Sequence, residues 1–210
     1  MRDPDATGRP VALCISPHLD DAAFSCGGTL AQLGAAGWEV HVATVFTGSV
    51  PNPQGFALSC QTDKGLSPDA DYMAIRRDED TVACAALGVV PHWLALHEAP
   101  HRGYDDVHAL FAGVCASDSE TWRAVAAALM PLDDGLAGTL DAHVVPLDTR
   151  TLLARQAACV AYATQLEFQF GGDNAARTAL AGLAATEGAA VGRSLRPARR
   201  NARRRQCTAS

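Results

Sequence analysis

The chain of 210 residues holds a single lysine, Lys64, and only 6% aromatic residues. It has no apolar run of about 18 residues, which excludes a membrane-spanning helix. Its seven cysteines include no Cys-x-x-Cys pair, so a cysteine-based zinc knuckle is excluded. Their odd number and scatter suit reduced thiols used as small core residues, and Cys26 reads as one such packed thiol rather than a nucleophile. No Gly-x-Ser-x-Gly is present, which removes the nucleophile signature of α/β serine hydrolases. Gly-x-Gly-x-x-Gly and the P-loop are also missing, and Gly27-Gly28 alone reads as room for close helix packing. The opening residues, MRDPDATGRPVALCIS, lack the basic region, apolar stretch and cleavage site of a signal peptide. The expected location is therefore cytoplasmic.

What is present fits a globular protein of one domain. Hydrophobic residues make up 48% and charged residues 19%, with a mean hydropathy of +0.02. The net charge is −6, but the seven arginines from Arg193 onward are accompanied by no acid, which leaves ten basic residues against 23 acidic ones elsewhere. That acidic body argues against nucleic acid as a partner. The arginine tail shows no motif and reads as a disordered extension.

Residues 1–10 form a loose lead-in, 11–188 a single α/β domain and 189–210 the basic tail. Val11 to Ser16 reads as a buried strand, Pro17 to Asp21 as a polar loop, Ala22 to Ala35 as a helix ended by Gly37, and Glu39 to Phe46 as a second strand. This is a βαβ unit, which implies parallel strands and a right-handed crossover. The Gly- and Pro-rich stretch Thr47 to Asp71 is expected to be a loop. A helix follows from about Ala70 to Leu87, closed by Gly88, and then a strand from His92 to Leu96. Beyond the polar loop Glu98 to Asp105, two short helices are expected in Asp106 to Met130 and a short strand near His143 to Val145. Helices over Thr149 to Gln165 and Asn174 to Thr186 complete the domain. The alternation predicts a Rossmann-like open, mostly parallel sheet with helices on both faces. Such sheets often pair, so a homo-oligomer is compatible with this reading.

Ligands of open α/β sheets sit beyond the carboxyl ends of the strands. The first such loop reads Ser16-Pro17-His18-Leu19-Asp20-Asp21. His18 and Asp21 can converge on one ion where the chain turns from strand to helix, which leaves Asp20 to face a metal-bound water. One imidazole and one carboxylate suit zinc, which in catalytic sites takes three protein ligands and a water. The metal lowers the pKa of that water, and a neighbouring carboxylate takes its proton as it attacks a carbonyl. The competing reading makes the two aspartates helix caps. The position directly after a buried strand favours the site.

Pro17 to Asp21, followed by Ala22-Ala23-Phe24-Ser25-Cys26-Gly27-Gly28-Thr29-Leu30, resembles the PIG-L (LmbE-like) zinc-dependent N-deacetylases. Val40 to Gly48 resembles that family's second strand and turn, Arg76-Arg77-Asp78-Glu79 its Arg-x-x-Glu helix, and Ala157 to Gly172 its late helix. The resemblance implies His18 and Asp21 as zinc ligands, with another divalent metal able to take its place, and Asp20 as general base. It also implies Arg76 and Arg102 as substrate-binding residues, and an N-acetyl amino sugar or GlcNAc-containing conjugate as substrate.

The family draws its third metal ligand from a Gly-x-His-x-Asp-His segment, and this sequence holds no His-x-x-His. The nearest echo, Gly138-Thr139-Leu140-Asp141-Ala142-His143, places His143 one residue late. His143 is the foremost candidate. His97 and His101, at the end of the third strand, are alternatives, and an alignment that lacks the segment altogether leaves no third ligand. The expected function is metal-dependent removal of an N-acetyl group. The alternative is a catalytically impaired relative that at most binds a sugar.

Overall fold

The computed structural model describes residues 9–115, 118–129 and 147–182. The expected strand near 143–145, His143 itself and the basic tail lie outside the described residues. Three strands, β1 (Val11–Ser16), β2 (Glu39–Phe46) and β3 (Val90–Leu96), form a parallel sheet in the order β1-β2-β3. Leu13 lies opposite His41 and Ile15 opposite Ala43, and on the other side of β2 Ala43 faces His92. The first helix, α1 (Asp21–Ala35), is the crossover between β1 and β2. Strand, crossover and strand thus follow the apolar pattern of the sequence almost residue for residue.

The other helices are α2 (Gly55–Thr62), α3 (Tyr72–Leu87), α4 (Val107–Ala112), α5 (Ser119–Leu129), α6 (Thr149–Ala161), α7 (Ala163–Phe170) and α8 over 173–182. None of the described helices is long and apolar enough to cross a membrane. Asp71 caps α3 by accepting from the Ala74 amide at 2.9 Å, and Gly88 ends it at a φ of 71°, which only glycine adopts without cost.

Val40 and Val42 of β2, with Ala12 and Cys14 of β1, meet Leu30, Ala83, Leu87 and Ala158 in one core. Helices α1, α3 and α6 therefore cover that side of the sheet. On its other side, Val11, Leu13 and Ile15 of the edge strand β1 are 52%, 42% and 40% exposed. The open parallel α/β sheet flanked by helices agrees with the sequence. Gly27 and Gly28 do provide close packing: a Cβ at Gly28 would collide with the Leu147 side chain, and one at Gly27 would stand 3.3 Å from Arg155 Cγ.

Two expectations need correction. The stretch Thr47 to Asp71 is not all loop, because α2 forms inside it. Its apolar periodicity is weak; the buried Gln61 anchors it by donating to the carbonyls of Ser67 and Ala70. The helix expected over Thr149 to Gln165 breaks at Tyr162, whose φ and ψ of −82° and 62° are not helical. There the buried Tyr162 hydroxyl donates to Asp80 Oδ1 at 2.6 Å. Burial and the neighbouring Asp80 charge push the Tyr162 pKa well up, so the phenol stays a donor. Tyr162→Phe removes this donor from the buried Asp80 carboxylate, which keeps the bond from Trp93 Nε1 at 2.8 Å. We expect urea denaturation to show a loss of about 1–3 kcal/mol.

Candidate active site

The loop between β1 and α1 is tied at both ends by one hydroxyl. Ser16 Oγ donates to the His18 carbonyl at 2.8 Å and accepts from the Ala22 amide at 3.2 Å. The Phe24 amide makes the first helical bond of α1, to the Asp20 carbonyl at 3.0 Å. Asp20 is held at a φ of 130°, in the region that favours glycine. Such strain persists only where surrounding contacts impose it, and it concentrates at functional sites. Its side chain makes no cap hydrogen bond. The capping reading of Asp20 therefore fails.

Three features define the geometry around this turn. His18 Nδ1 and Asp21 Oδ2 meet at 3.0 Å, and the same oxygen accepts from the His18 amide at 3.1 Å. Both side chains are partly open to solvent, 42% and 44% exposed. Asp20, by contrast, is 5% exposed and accepts from Gln169 Nε2 at 3.1 Å and Arg76 Nη2 at 3.4 Å.

The electrostatics separate the two carboxylates. Burial raises the Asp20 pKa to about 6, an effect the Arg76 charge opposes and the Asp21 charge reinforces. The hydrogen bond from His18 holds Asp21 below the usual range. Burial works against protonation of His18, but the Asp21 hydrogen bond and the Glu98 charge outweigh it, so its pKa lies above the ordinary value. Two adjacent carboxylates are thus driven to opposite sides of the normal value, which is how acid–base roles are divided in active sites.

Arg76 of α3 is buried and lines the cleft. It pairs with Glu98 from the loop after β3 and donates to the Leu19 carbonyl as well as to Asp20. The cleft measures about 220 Å³. Besides His18, Asp20, Asp21 and Arg76, its walls include Lys64, Tyr72, Glu98, Gln165 and Gln169. Lys64 Nζ donates to the Cys60 carbonyl at 2.8 Å and lies 5.4 Å from the centre of the Tyr72 ring. Gln165 Nε2 donates to the Tyr72 hydroxyl at 2.9 Å.

Arg102 is not brought into this cleft. It pairs with Asp118 and stacks 4.6 Å above the Phe46 ring, which in turn lies 5.7 Å from the His18 ring. Arg102 and His97 line a neighbouring open cleft of about 250 Å³, together with Glu120 and Thr121 of α5. The His97 and His101 rings are 6.4 Å apart, and neither lines the His18 cleft.

The donor set can be set against the needs of a catalytic zinc, which takes three protein ligands. His18 and Asp21 are of the right chemical type, and their donor atoms already meet. Among the described residues, no group of three or more His, Cys, Asp or Glu side chains is placed to hold a metal. They thus supply two donors of a suitable kind.

Sequence reasoning missed Lys64, Glu98 and Gln169. Glu98 had a signal, since it follows the carboxyl end of β3, where open α/β sheets place their sites. Gln165 and Gln169 are four residues apart on α7 and so share a face. Lys64 had none beyond its being the single lysine.

Fold and site together define an open α/β protein whose polar cluster lies in the loop after the first strand. Residues 13–136 match the family model PIG-L, described as GlcNAc-PI de-N-acetylase, and the chain belongs to that family. Over 110 residues it is 34% identical to 2'-N-acetylparomamine deacetylase of Streptomyces fradiae. That match covers 50% of this chain and 37% of the relative, little more than a third of its length. Of the solved structures, the antimicrobial reagent A40926 pseudoaglycone deacetylase is 27% identical with a TM-score of 0.59, covering 82% of this chain and 88% of that one. The zinc inhibited form of teicoplanin deacetylase shares the fold, at 20% identity and a TM-score of 0.61 over 86% of this chain and 94% of that one.

Proposed function

We propose that the chain is a metal-dependent hydrolase that removes an N-acetyl group from an amino sugar or a GlcNAc-containing conjugate. The observation that carries this reading is the division of labour in one cleft. A buried, strained Asp20 is held by Arg76 and Gln169 beside the paired, solvent-facing His18 and Asp21. Family membership supports it, as do two relatives named as deacetylases, one of them of 2'-N-acetylparomamine.

In this proposal His18 and Asp21 hold zinc, or another divalent ion, with His143 as the third donor. When bound, the metal supplies Lewis acidity towards the amide carbonyl and acidifies a water. Asp20 takes the proton from the attacking water and delivers it to the departing nitrogen, so the C–N bond breaks to acetate and free amine. With its pKa raised to about 6, Asp20 is a better proton acceptor than an ordinary aspartate and still ionised at neutral pH. Arg76 is a positioning residue, because its guanidinium is committed to Glu98, the Leu19 carbonyl and Asp20. Lys64 and Gln165 present polar groups to the hydroxyls of the sugar ring. Arg102 lies beyond Phe46 and is assigned to the distal part of a larger conjugate.

The test is release of free amine and acetate from N-acetylglucosamine conjugates and 2'-N-acetylparomamine by zinc-supplied protein. Equimolar release, lost in His18→Ala, is the expected result. A second reading, a relative that binds a sugar without hydrolysing it, draws on the two-donor set among the described residues. Saturable sugar binding without product from any substrate would establish that reading instead.

A further inference from the structure

We infer that Cys14 and Cys26 form a reversible thiol–disulfide site that tightens the two elements flanking the His18–Asp21 loop. Cys14 lies on β1 two residues before Ser16, and Cys26 lies on α1 one turn after Ala22. Their sulfurs are 3.7 Å apart, in contact but not bonded. Both side chains are only partly buried, so a small oxidant can reach them, whereas Cys84 and Cys159 are buried. The pair therefore bridges the strand and helix ends that the Ser16 hydroxyl already ties together.

The two thiols are also unlike each other. The hydrogen bond from Cys14 lowers the Cys26 pKa to about 7; burial opposes this and the Arg155 guanidinium adds to it. The same contact pushes Cys14 well up. Cys26 is then the attacking thiolate and Cys14 the resolving thiol.

With a peroxide as the two-electron oxidant, the Cys26 thiolate attacks one peroxide oxygen, breaks the O–O bond and becomes a sulfenic acid, and the released hydroxide takes up a proton to leave as water. The Cys14 sulfur then displaces the sulfenic oxygen as a second water, and the S–S bond forms. Two thiols and one hydrogen peroxide give one disulfide and two waters. A dithiol reductant reverses the step. A disulfide needs its sulfurs at about 2.0 Å, so they must close by roughly 1.7 Å from their present separation. Once in a disulfide, Cys26 no longer donates to the Ala22 carbonyl, which lies 3.4 Å from its sulfur in the first turn of α1, and a covalent bond holds β1 to α1 instead. The loop carrying His18 and Asp20 tightens in consequence.

The test treats the full-length reduced protein with one equivalent of hydrogen peroxide and reads it by intact mass, peptide mapping and amide hydrogen exchange. We expect a loss of two hydrogens, a linked Cys14–Cys26 peptide pair and slower exchange over residues 17–24, all reversed by dithiothreitol. Cys14→Ser and Cys26→Ser should each abolish the linked pair. An added-oxygen product at either cysteine, a link to a different cysteine, or no reaction would overturn the site. A linked pair with unchanged exchange would overturn the tightening. These readouts need no turnover, so their outcome is independent of the proposed deacetylation.

Discussion

Asp20→Asn is expected to lower kcat/KM for deacetylation by about 100- to 10,000-fold, the range associated with loss of a general acid–base group. The substitution keeps the shape and the ability to accept from Gln169, but a carboxamide does not take up a proton from water near neutral pH. Asp20 is 5% exposed and its ionised form is disfavoured by burial, so a neutral replacement removes a desolvation cost. Arg76 still has Glu98 and the Leu19 carbonyl as partners. The melting temperature should therefore stay level or rise while activity collapses, the pattern of a residue held at the expense of stability. Activity within about threefold of wild type, well short of a typical acid–base contribution, would remove Asp20 from the reaction.

The second large effect belongs to Arg76. Arg76→Met leaves Asp20 and Glu98, 5% and 16% exposed, without their shared cation. Removing one partner of a buried ion pair costs about 3–5 kcal/mol. Guanidinium denaturation should show a loss of that order, and activity should fall with it because Asp20 is no longer oriented. Arg76→Lys keeps the charge but not the planar fork that reaches three oxygens, so it should restore part of the stability and little of the activity. Combining Arg76→Met with Glu98→Gln removes one orphaned charge, and the double variant should be more stable than Arg76→Met alone. Purely additive losses would show that Arg76 and Glu98 are not coupled through this contact.

What could be read in advance follows from the range of the interactions involved. β1, α1 and β2 are set by local apolar spacing and by Gly37, and their bounds came out within a residue of those expected. The His18–Asp21 loop was legible because all its metal-competent groups sit in four consecutive residues after a strand. The break at Tyr162 was not, since its hydroxyl partner Asp80 lies 82 positions away. The same holds for the contacts that give Asp20 its character: Arg76 arrives from 56 residues off and Gln169 from 149. Arg102 was expected near the substrate because the family resemblance implies an arginine of that loop there. Asp118 and the Phe46 ring, which the folded chain brings to it, place it in the adjoining cleft.

The most direct test of the account is the metal content of protein purified without chelators, supplied with zinc and desalted. About one zinc per chain is expected, as a single catalytic site requires. It should be lost in His18→Ala and Asp21→Ala and retained in Asp20→Asn, which separates ligand from base. Wild-type protein that retains no zinc, or His18→Ala protein that retains as much as wild type, would contradict the assignment of this loop as the metal centre.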